Sequence, residues 1–533
     1  MIISLSSSLK TSVVLTLLLG FYTLGHCQTQ NRPNVILILA DDLGYGDLSC
    51  YNSASKIQTP HLDHMATEGM RFTDSHAPSS LCTPTRYGIL TGRYAWRSRL
   101  THGVLGIFDK PLIDANQFTL GQLFQQQGYA TAAIGKWHLG FDWQTVDGSK
   151  PKIGSNRLSN VDFTKPIGGP VTRGFDYYFG VDLPNFPPYC FIEDQHTVGI
   201  PSVGDTGKKG GFNRPGPMIP GWELVKILPT ITDHAIKYIE DAGKSKKPFF
   251  LYFTLTSPHF PIVPTPEFMG KSKAGAYGDY VEQTDAMVGK VLKALKASGL
   301  EDNTLVIFTS DNGPEVAAEI GIGAYERTRV FGHYSMGPLR GVKRDTWEGG
   351  HRVAFIARWP NVIAANSTSN ELVSHVDLMA TVASILNVKL PDSAGVDSVN
   401  ILPALKGEKL AQPIRDAMVH HSGSGDLAIR QGDWVFIDAK SGNANGARAQ
   451  SDWFNKQRGY VDDNYPGQLF NITEDISERK NYYAIHPEIV SRLKSLLEKY
   501  KRDGRSTPGV PQKNDNTKNS GDAFAWVPNE TTP

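Results

Sequence analysis

Cysteine is scarce in this chain, with four in 533 residues, which excludes a fold held by a disulfide framework. Net charge is almost missing as well: 54 Lys+Arg against 53 Asp+Glu leave +1. That balance argues against a nucleic-acid partner or attachment to an anionic membrane through a basic patch. No segment reaches the ~18 apolar residues that a transmembrane helix needs. The apolar run at residues 13–24 (VVLTLLLGFYTL), preceded by Lys10, has instead the length of a secretory signal peptide. Cleavage after Cys27 would place the small residue Gly25 at −3; the competing reading acylates Cys27 as a lipoprotein, for which His26 is a poor fit. The expectation is an exported chain, periplasmic or secreted.

What is present is apolar material for a large core. Hydrophobic residues make up 40%, with 24 Phe, 20 Tyr and 9 Trp, so global disorder is excluded. Short β-branched or aromatic runs at residues 35–40 (VILILA), 129–134 (YATAAI), 249–254 (FFLYFT) and 305–310 (LVIFTS) read as buried strands of a parallel sheet. Between them lie helical segments, as at 280–298, where Val281, Val288, Leu292 and Leu295 share a face and Gly299 follows. Strand alternating with helix predicts an α/β sandwich. From residue 140 to 221 the pattern dissolves into Gly, Pro and aromatics, which predicts a long irregular surface. After about residue 390, the runs GDWVFI and QLF and a helix after Pro487 predict a smaller α+β unit. The predicted division is a signal peptide at 1–27, a main domain at 30–392, the α+β unit at 393–503 and an extended tail at 504–533.

Each strand runs into chemistry. VILILA leads to Asp41-Asp42, YATAAI to Lys136 and His138, FFLYFT to His259, and LVIFTS to Asp311-Asn312. Singly, such residues are turns, helix caps or structural histidines. In an open α/β sheet, however, ligands bind outside the carboxyl ends of parallel strands, so four such ends are expected to converge. Asp41, Asp42, Asp311 and Asn312 form an all-oxygen set suited to a hard cation, Ca²⁺ or Mg²⁺.

Between the first two strands stands Cys82-Thr83-Pro84-Thr85-Arg86, followed by Leu90-Thr91-Gly92-Arg93. From the residues alone, Cys82 is either a thiolate nucleophile at a helix N-terminus or a buried small thiol. With NVILILADDLGYGDL, GKWHLG, SDNGP, Pro338-Leu-Arg-Gly-Val-Lys343, Trp347-Glu-Gly-Gly350 and LFNITEDISERKN in the same order, the chain resembles the formylglycine-dependent type I sulfatases of the alkaline phosphatase superfamily. The resemblance spans about residues 33–501 and resembles most the carbohydrate sulfatases of polysaccharide-degrading bacteria.

That resemblance implies an alkaline-phosphatase-like mixed sheet sandwiched by helices, plus a C-terminal subdomain with a short antiparallel sheet. It implies that a formylglycine-generating enzyme oxidises Cys82, and that the hydrated aldehyde attacks sulfur and later expels sulfate. It assigns Ca²⁺, ahead of Mg²⁺, to Asp41, Asp42, Asp311, Asn312 and residue 82. Arg86 would hold the formylglycine hydroxyl, Lys136 and Lys343 the sulfate oxygens, His138 would be the base and His259 the acid. Where some relatives carry a Ser, this chain has VDLPNFPPY, and Asn185 is the candidate replacement. Arg97 and Arg327, in flanking segments, are further candidates for substrate contacts. The expected substrate is a sulfated polysaccharide or its oligosaccharides; the runner-up activity is that of a phosphatase or phosphonate hydrolase of the same superfamily.

Overall fold

The computed structural model describes residues 32–205, 214–245, 247–316, 323–446 and 450–516; the apolar run at 13–24, Cys27 and the last residues of the tail lie outside them. Its centre is a ten-stranded sheet whose middle strands are parallel. They are β1 (Asn34–Ala40), β2 (Ala130–Lys136), β3 (Tyr177–Val181), β4 (Phe249–Thr254) and β5 (Thr304–Ser310). Their order across the sheet is β5-β1-β4-β2-β3. Beyond β5 come Phe355–Arg358, Met70–Phe72 and Ser367–Ser369, the first of these antiparallel to β5; beyond β3 come the short strands Ile192–Glu193 and His196–Thr197.

The four apolar runs form strands because both their faces are covered. Val35, Leu37 and Leu39 point into one core, with Ile89, Phe124 and Met379. Ile36 and Ile38 point into the other, with Leu228, Ile239, Val281 and Val288. The helices α1 (Cys82–Thr91), α2 (Ile227–Ser245) and α3 (Gly275–Ala297) thus divide between the faces, α1 on the first and the other two on the second. Cys190 belongs to the first core and Cys50 packs against the second, so the sheet stands between them and both thiols are free.

Residues 140–221 are less irregular than expected. They contain β3, which extends the main sheet in parallel with β2, and two short antiparallel pairs. The five-residue strand YYFGV was hidden by the Gly- and Pro-rich segments around it. The C-terminal unit is a four-stranded antiparallel sheet, Met418–His421, Leu427–Gln431, Trp434–Ile437 and Gln468–Asn471 in that order. The helix α4 (Pro487–Asp503) covers it with Val490, Leu493, Leu497 and Tyr500, and Gly504 ends it at φ 66°. Tyr94, Trp96 and Val376 from the main domain enter the same core. Residues 504–516 lack regular structure but are tied down: Arg505 pairs with Asp392 at 3.1 Å and Ser506 donates to Asp397 at 2.8 Å. Among the described residues, no helix is long and apolar enough to cross a membrane.

Candidate active site

The register of the sheet levels the strand ends. Ala40 lies opposite Ser310, Leu39 opposite Thr254, and Thr254 opposite Gly135. Asp41, Asp311 and Lys136 therefore leave the sheet at one edge. Gly135 permits this: at φ 117°, a Cβ there would lie 1.7 Å from the Thr254 carbonyl oxygen. Asp42 and His138 also hold left-handed backbones, at φ 66° and 53°. Such conformations cost about 1–3 kcal/mol for non-glycine residues and persist where the surroundings over-determine them.

Cys82 is the first residue of α1, a helix buried on every side whose N-terminus opens into this edge. Gly92, at φ 61°, ends it and donates to the Gly88 carbonyl. The Cys82 Sγ lies 3.2 Å from His138 Nδ1. Burial raises the thiol pKa, and Lys136 and Lys343 only partly offset that. An unmodified thiolate is thus not favoured here.

Around it the charges interlock. Arg86 donates from Nε and Nη2 to Asp311 Oδ2 at 3.0 and 2.8 Å, and from Nη1 to the Lys136 carbonyl at 2.8 Å. Lys136 Nζ donates to Asp41 Oδ2, and Lys343 Nζ to Asp42 Oδ2, each at 2.7 Å. Asn312 Nδ2 donates to Asp42 Oδ1 at 2.8 Å. Burial would raise the Asp42 pKa, but Lys343 and His259 hold it below the ordinary range. At Asp311, burial and the neighbouring Asp41 push it up to about 6 against the pull of Arg86. Within this group, two buried acceptor atoms have no hydrogen-bond partner among the described residues: Asp41 Oδ1 and Asn312 Oδ1.

The histidines differ. His138 Nε2 donates to the Leu105 carbonyl at 3.2 Å, which leaves Nδ1 as the acceptor facing residue 82. His259 Nδ1 donates to the Phe260 carbonyl at 2.6 Å, leaving Nε2 3.8 Å from Asp42 Oδ2. Burial, reinforced by Lys136, pushes the His138 pKa well below normal. Burial takes His259 down to about 3, with Lys136 and Lys343 adding to it and Asp42 opposing.

Cys82, Arg86, Lys136, His138, His259, Lys343, Asp41, Asp42, Asp311 and Asn312 are thus brought together as one buried group. Two carboxylates of the surroundings were not singled out in the sequence. Glu315 accepts from Arg344 Nη1 and Nη2 at 2.7 and 2.8 Å and lies 3.5 Å from Lys343 Nζ. Asp182 accepts the His138 backbone N–H at 3.1 Å and is pushed up to about 7 by burial. Glu315 follows SDNGP directly, a usable signal; Asp182 follows β3 and was hidden with it.

The substrate candidates fare differently. Arg97 is fully buried, pairs with Asp397 at 2.8 Å, donates to the Tyr500 carbonyl and stacks 4.1 Å from the Trp96 ring. Arg327 is fully buried too, donates to Ser335 Oγ and lies 3.5 Å over the Tyr277 ring. Both guanidiniums are enclosed by internal partners. Asn185 precedes Phe186, whose ring lies 6.4 Å from that of His138, so its loop does border the site.

A mixed sheet between helical layers, a C-terminal antiparallel sheet and anion-directed chemistry at the strand ends define an alkaline-phosphatase-like hydrolase. Within that class the chain belongs to the sulfatase family, whose profile matches residues 33–388, and it is a sulfuric ester hydrolase. It is 35% identical over 510 residues to an N-acetylgalactosamine-6-O-sulfatase of Bacteroides thetaiotaomicron, covering 89% of this chain and 94% of that one. Arylsulfatase A of Bos taurus is 33% identical over 495 residues, covering 90% of each. A solved structure from work on glycosaminoglycan metabolism by Bacteroides thetaiotaomicron superposes with a TM-score of 0.74. It shares 33% identity and covers 88% of this chain and 99% of that one. A Pseudoalteromonas sulfatase at 24% identity shares the fold, with a TM-score of 0.67 and 90% and 92% coverage.

Proposed function

We propose that this sulfatase removes sulfate esters from a sulfated carbohydrate, with formylglycine made from Cys82 as nucleophile and Ca²⁺ beside it. The observation that carries the reading is the convergence at one sheet edge of Cys82, two histidines of opposite tautomer and three cationic side chains around an all-oxygen group. The names of the bacterial relative and of the glycosaminoglycan study make a 6-sulfated N-acetylgalactosamine residue the first substrate to try.

The donor set fits Ca²⁺. Asp41 Oδ1 and Asn312 Oδ1 are buried acceptors with no hydrogen bond, and Asp42 and Asp311 stand beside them. Oxygen-only ligation matches a hard cation. Asp41, Asp42, Asp311, Asn312 and residue 82 would hold it, and it would supply Lewis-acid neutralisation of the sulfate charge. Formylglycine would supply a hydrated aldehyde, one oxygen for attack on sulfur and a second whose deprotonation lets sulfate leave without water attacking sulfur.

The chain's own residues do the rest. His138 accepts the proton of the residue-82 hydroxyl at Nδ1, because Nε2 is committed to Leu105. Lys136 and Lys343 exchange their carboxylate partners for sulfate oxygens and stabilise charge in the transition state. Arg86 anchors Asp311 and flanks residue 82. His259, the more exposed histidine at 8% against 1% for His138, faces the mouth. Its Nε2 gives a proton to the departing alcohol oxygen, and the bound sulfate raises its proton affinity. Polymeric substrates and the apolar run at 13–24 support export, with a formylglycine-generating enzyme acting on Cys82.

Mass spectrometry of the Cys82 peptide tests the nucleophile: active protein should show a loss of about 18 Da relative to cysteine. Sulfate release from defined oligosaccharides, aryl sulfates and phosphate monoesters tests the substrate. Unmodified Cys82 in fully active protein would sink the mechanism. Turnover confined to aryl sulfates would sink the carbohydrate assignment, and preference for phosphate esters would favour the phosphatase reading.

A further inference from the structure

A second group of metal-ligand type lies apart from the oxygen set. His76, Glu348 and His351 are buried, and one donor atom from each lies within 4.8 Å of the others. The tautomers of the two histidines follow from their partners. His351 Nε2 faces the Thr346 carbonyl at 3.1 Å, which only accepts, so it carries the hydrogen. His76 Nε2 faces Asp74 Oδ1 at 2.8 Å, a carboxylate in a bidentate pair with Arg430, so it carries a hydrogen too. Both Nδ1 atoms are then bare in the neutral rings. Yet they face each other at 3.0 Å.

Two lone pairs at that distance need a cation between them. A shared proton would serve the two nitrogens only. It would leave Glu348 Oε1, fully buried, still without a hydrogen-bond partner among the described residues. A metal ion uses all three donors. Two nitrogens on one tetrahedral Zn²⁺, at bonds of about 2.0–2.1 Å, stand roughly 3.3 Å apart, a few tenths from the separation here. The outer partners also match a metal centre. Asp74 on His76 and a backbone carbonyl on His351 fix which nitrogen of each ring is bare. His420 packs its ring 3.6 Å from that of His351 and sets its plane.

We propose that His76, Glu348 and His351 bind one borderline transition ion of the Zn²⁺ class at a site separate from the oxygen-ligand group. Mixed nitrogen and oxygen donors select zinc-like ions over Ca²⁺. A cavity of about 250 Å³ reaches Asp74, the carboxylate that holds His76 Nε2. The ion would clamp two segments: His76 lies six residues before Cys82, and Glu348 and His351 share the short helix that begins five residues after Lys343. His420, in the C-terminal sheet, packs on His351 without being a ligand. The Ala77 N–H already donates to the His351 carbonyl at 2.8 Å across the same junction. This inference does not depend on the substrate or on formylglycine.

The test uses the full chain, stripped with chelator and dialysed against excess Ca²⁺ with a small amount of Zn²⁺, followed by elemental analysis. One zinc per chain is expected in the wild type, and none in His351→Gln, with calcium content equal in both. Asp74→Asn keeps the ligands but should weaken zinc binding by about 10- to 100-fold. In the wild type, Co²⁺ should give the visible absorption of a low-coordinate nitrogen-containing site, which is readable even where a variant fails to fold. Zinc displaced by Ca²⁺, zinc retained in full by His351→Gln, or a Co²⁺ spectrum of six oxygen ligands would each overturn the proposal.

Discussion

Two histidines with the same ring are set apart by the nitrogen each has already committed. His138 gives Nε2–H to Leu105 and keeps Nδ1 bare towards residue 82; His259 gives Nδ1–H to Phe260 and keeps Nε2, 3.8 Å from Asp42 Oδ2. Under the proposed mechanism, removing either histidine should lower kcat by about 10²–10⁴-fold on a sugar sulfate. The two losses should part on an aryl sulfate with an acidic phenol. His259→Ala should recover much of its rate there, because that leaving group needs no proton, whereas His138→Ala should remain slow. Steady-state kcat on both substrates decides it, and equal losses would reject the division of roles. The residues that converge at the strand ends were legible because each follows an apolar strand run or sits in a short motif. The internal partners of Arg97 and Arg327 were not legible, for a residue-scale reason. A basic side chain beside a nucleophile looks available in sequence, and the partner that encloses Arg97 lies 300 residues away.

At the scale of elements, the turn leaving β1 is held by a buried carboxylate. Asp47 accepts from the Gly44 N–H at 2.7 Å and Tyr277 OH at 2.6 Å, and lies 2.8 Å from His333 Nε2. Burial would raise its pKa, but the His333 hydrogen bond, with His333 and Arg327 charge, holds it below its ordinary 3.8. A depressed carboxylate stabilises the fold fully above its unfolded pKa, and that contribution disappears as pH falls through the folded value. Asp47→Asn should therefore cost about 3 kcal/mol at neutral pH. The gap from wild type should narrow progressively below pH 3.8. Urea unfolding of both proteins across that range checks it, and a gap that widens with acid would refute it. β1, β2, β4 and β5 were legible because unbroken apolar runs fit a sheet covered on both faces. β3 was not, since its five residues carry too little pattern to stand out from glycine and proline.

For the whole molecule, the C-terminal unit is part of the same packed body as the main domain. Arg97 joins Asp397 and the last turn of α4, while Arg415 pairs with Asp377. Arg97→Ala should lower unfolding free energy by about 3–5 kcal/mol, because it strands Asp397 in the interior. KM on any substrate should stay unchanged well below the melting transition. Calorimetry together with KM reads both, and a raised KM at unchanged stability would restore the substrate role expected from sequence. The alternation of strand and helix made the architecture legible; the sharing of one core across the predicted boundary near residue 392 was not, because it rests on contacts among distant segments.

The level strand ends carry a consequence in time. Asp42 meets Lys343 across 301 positions of chain, and Arg86 meets Asp311 across 225. No local stretch can form these pairs, and contacts of such long range form slowly. Asp42 lacks Lys343, and Arg86 lacks Asp311, until β5 has docked beside β1 and the Lys343 loop has closed over it. The complete charge group should therefore be assembled late in folding, with the closing of the sheet rather than motif by motif.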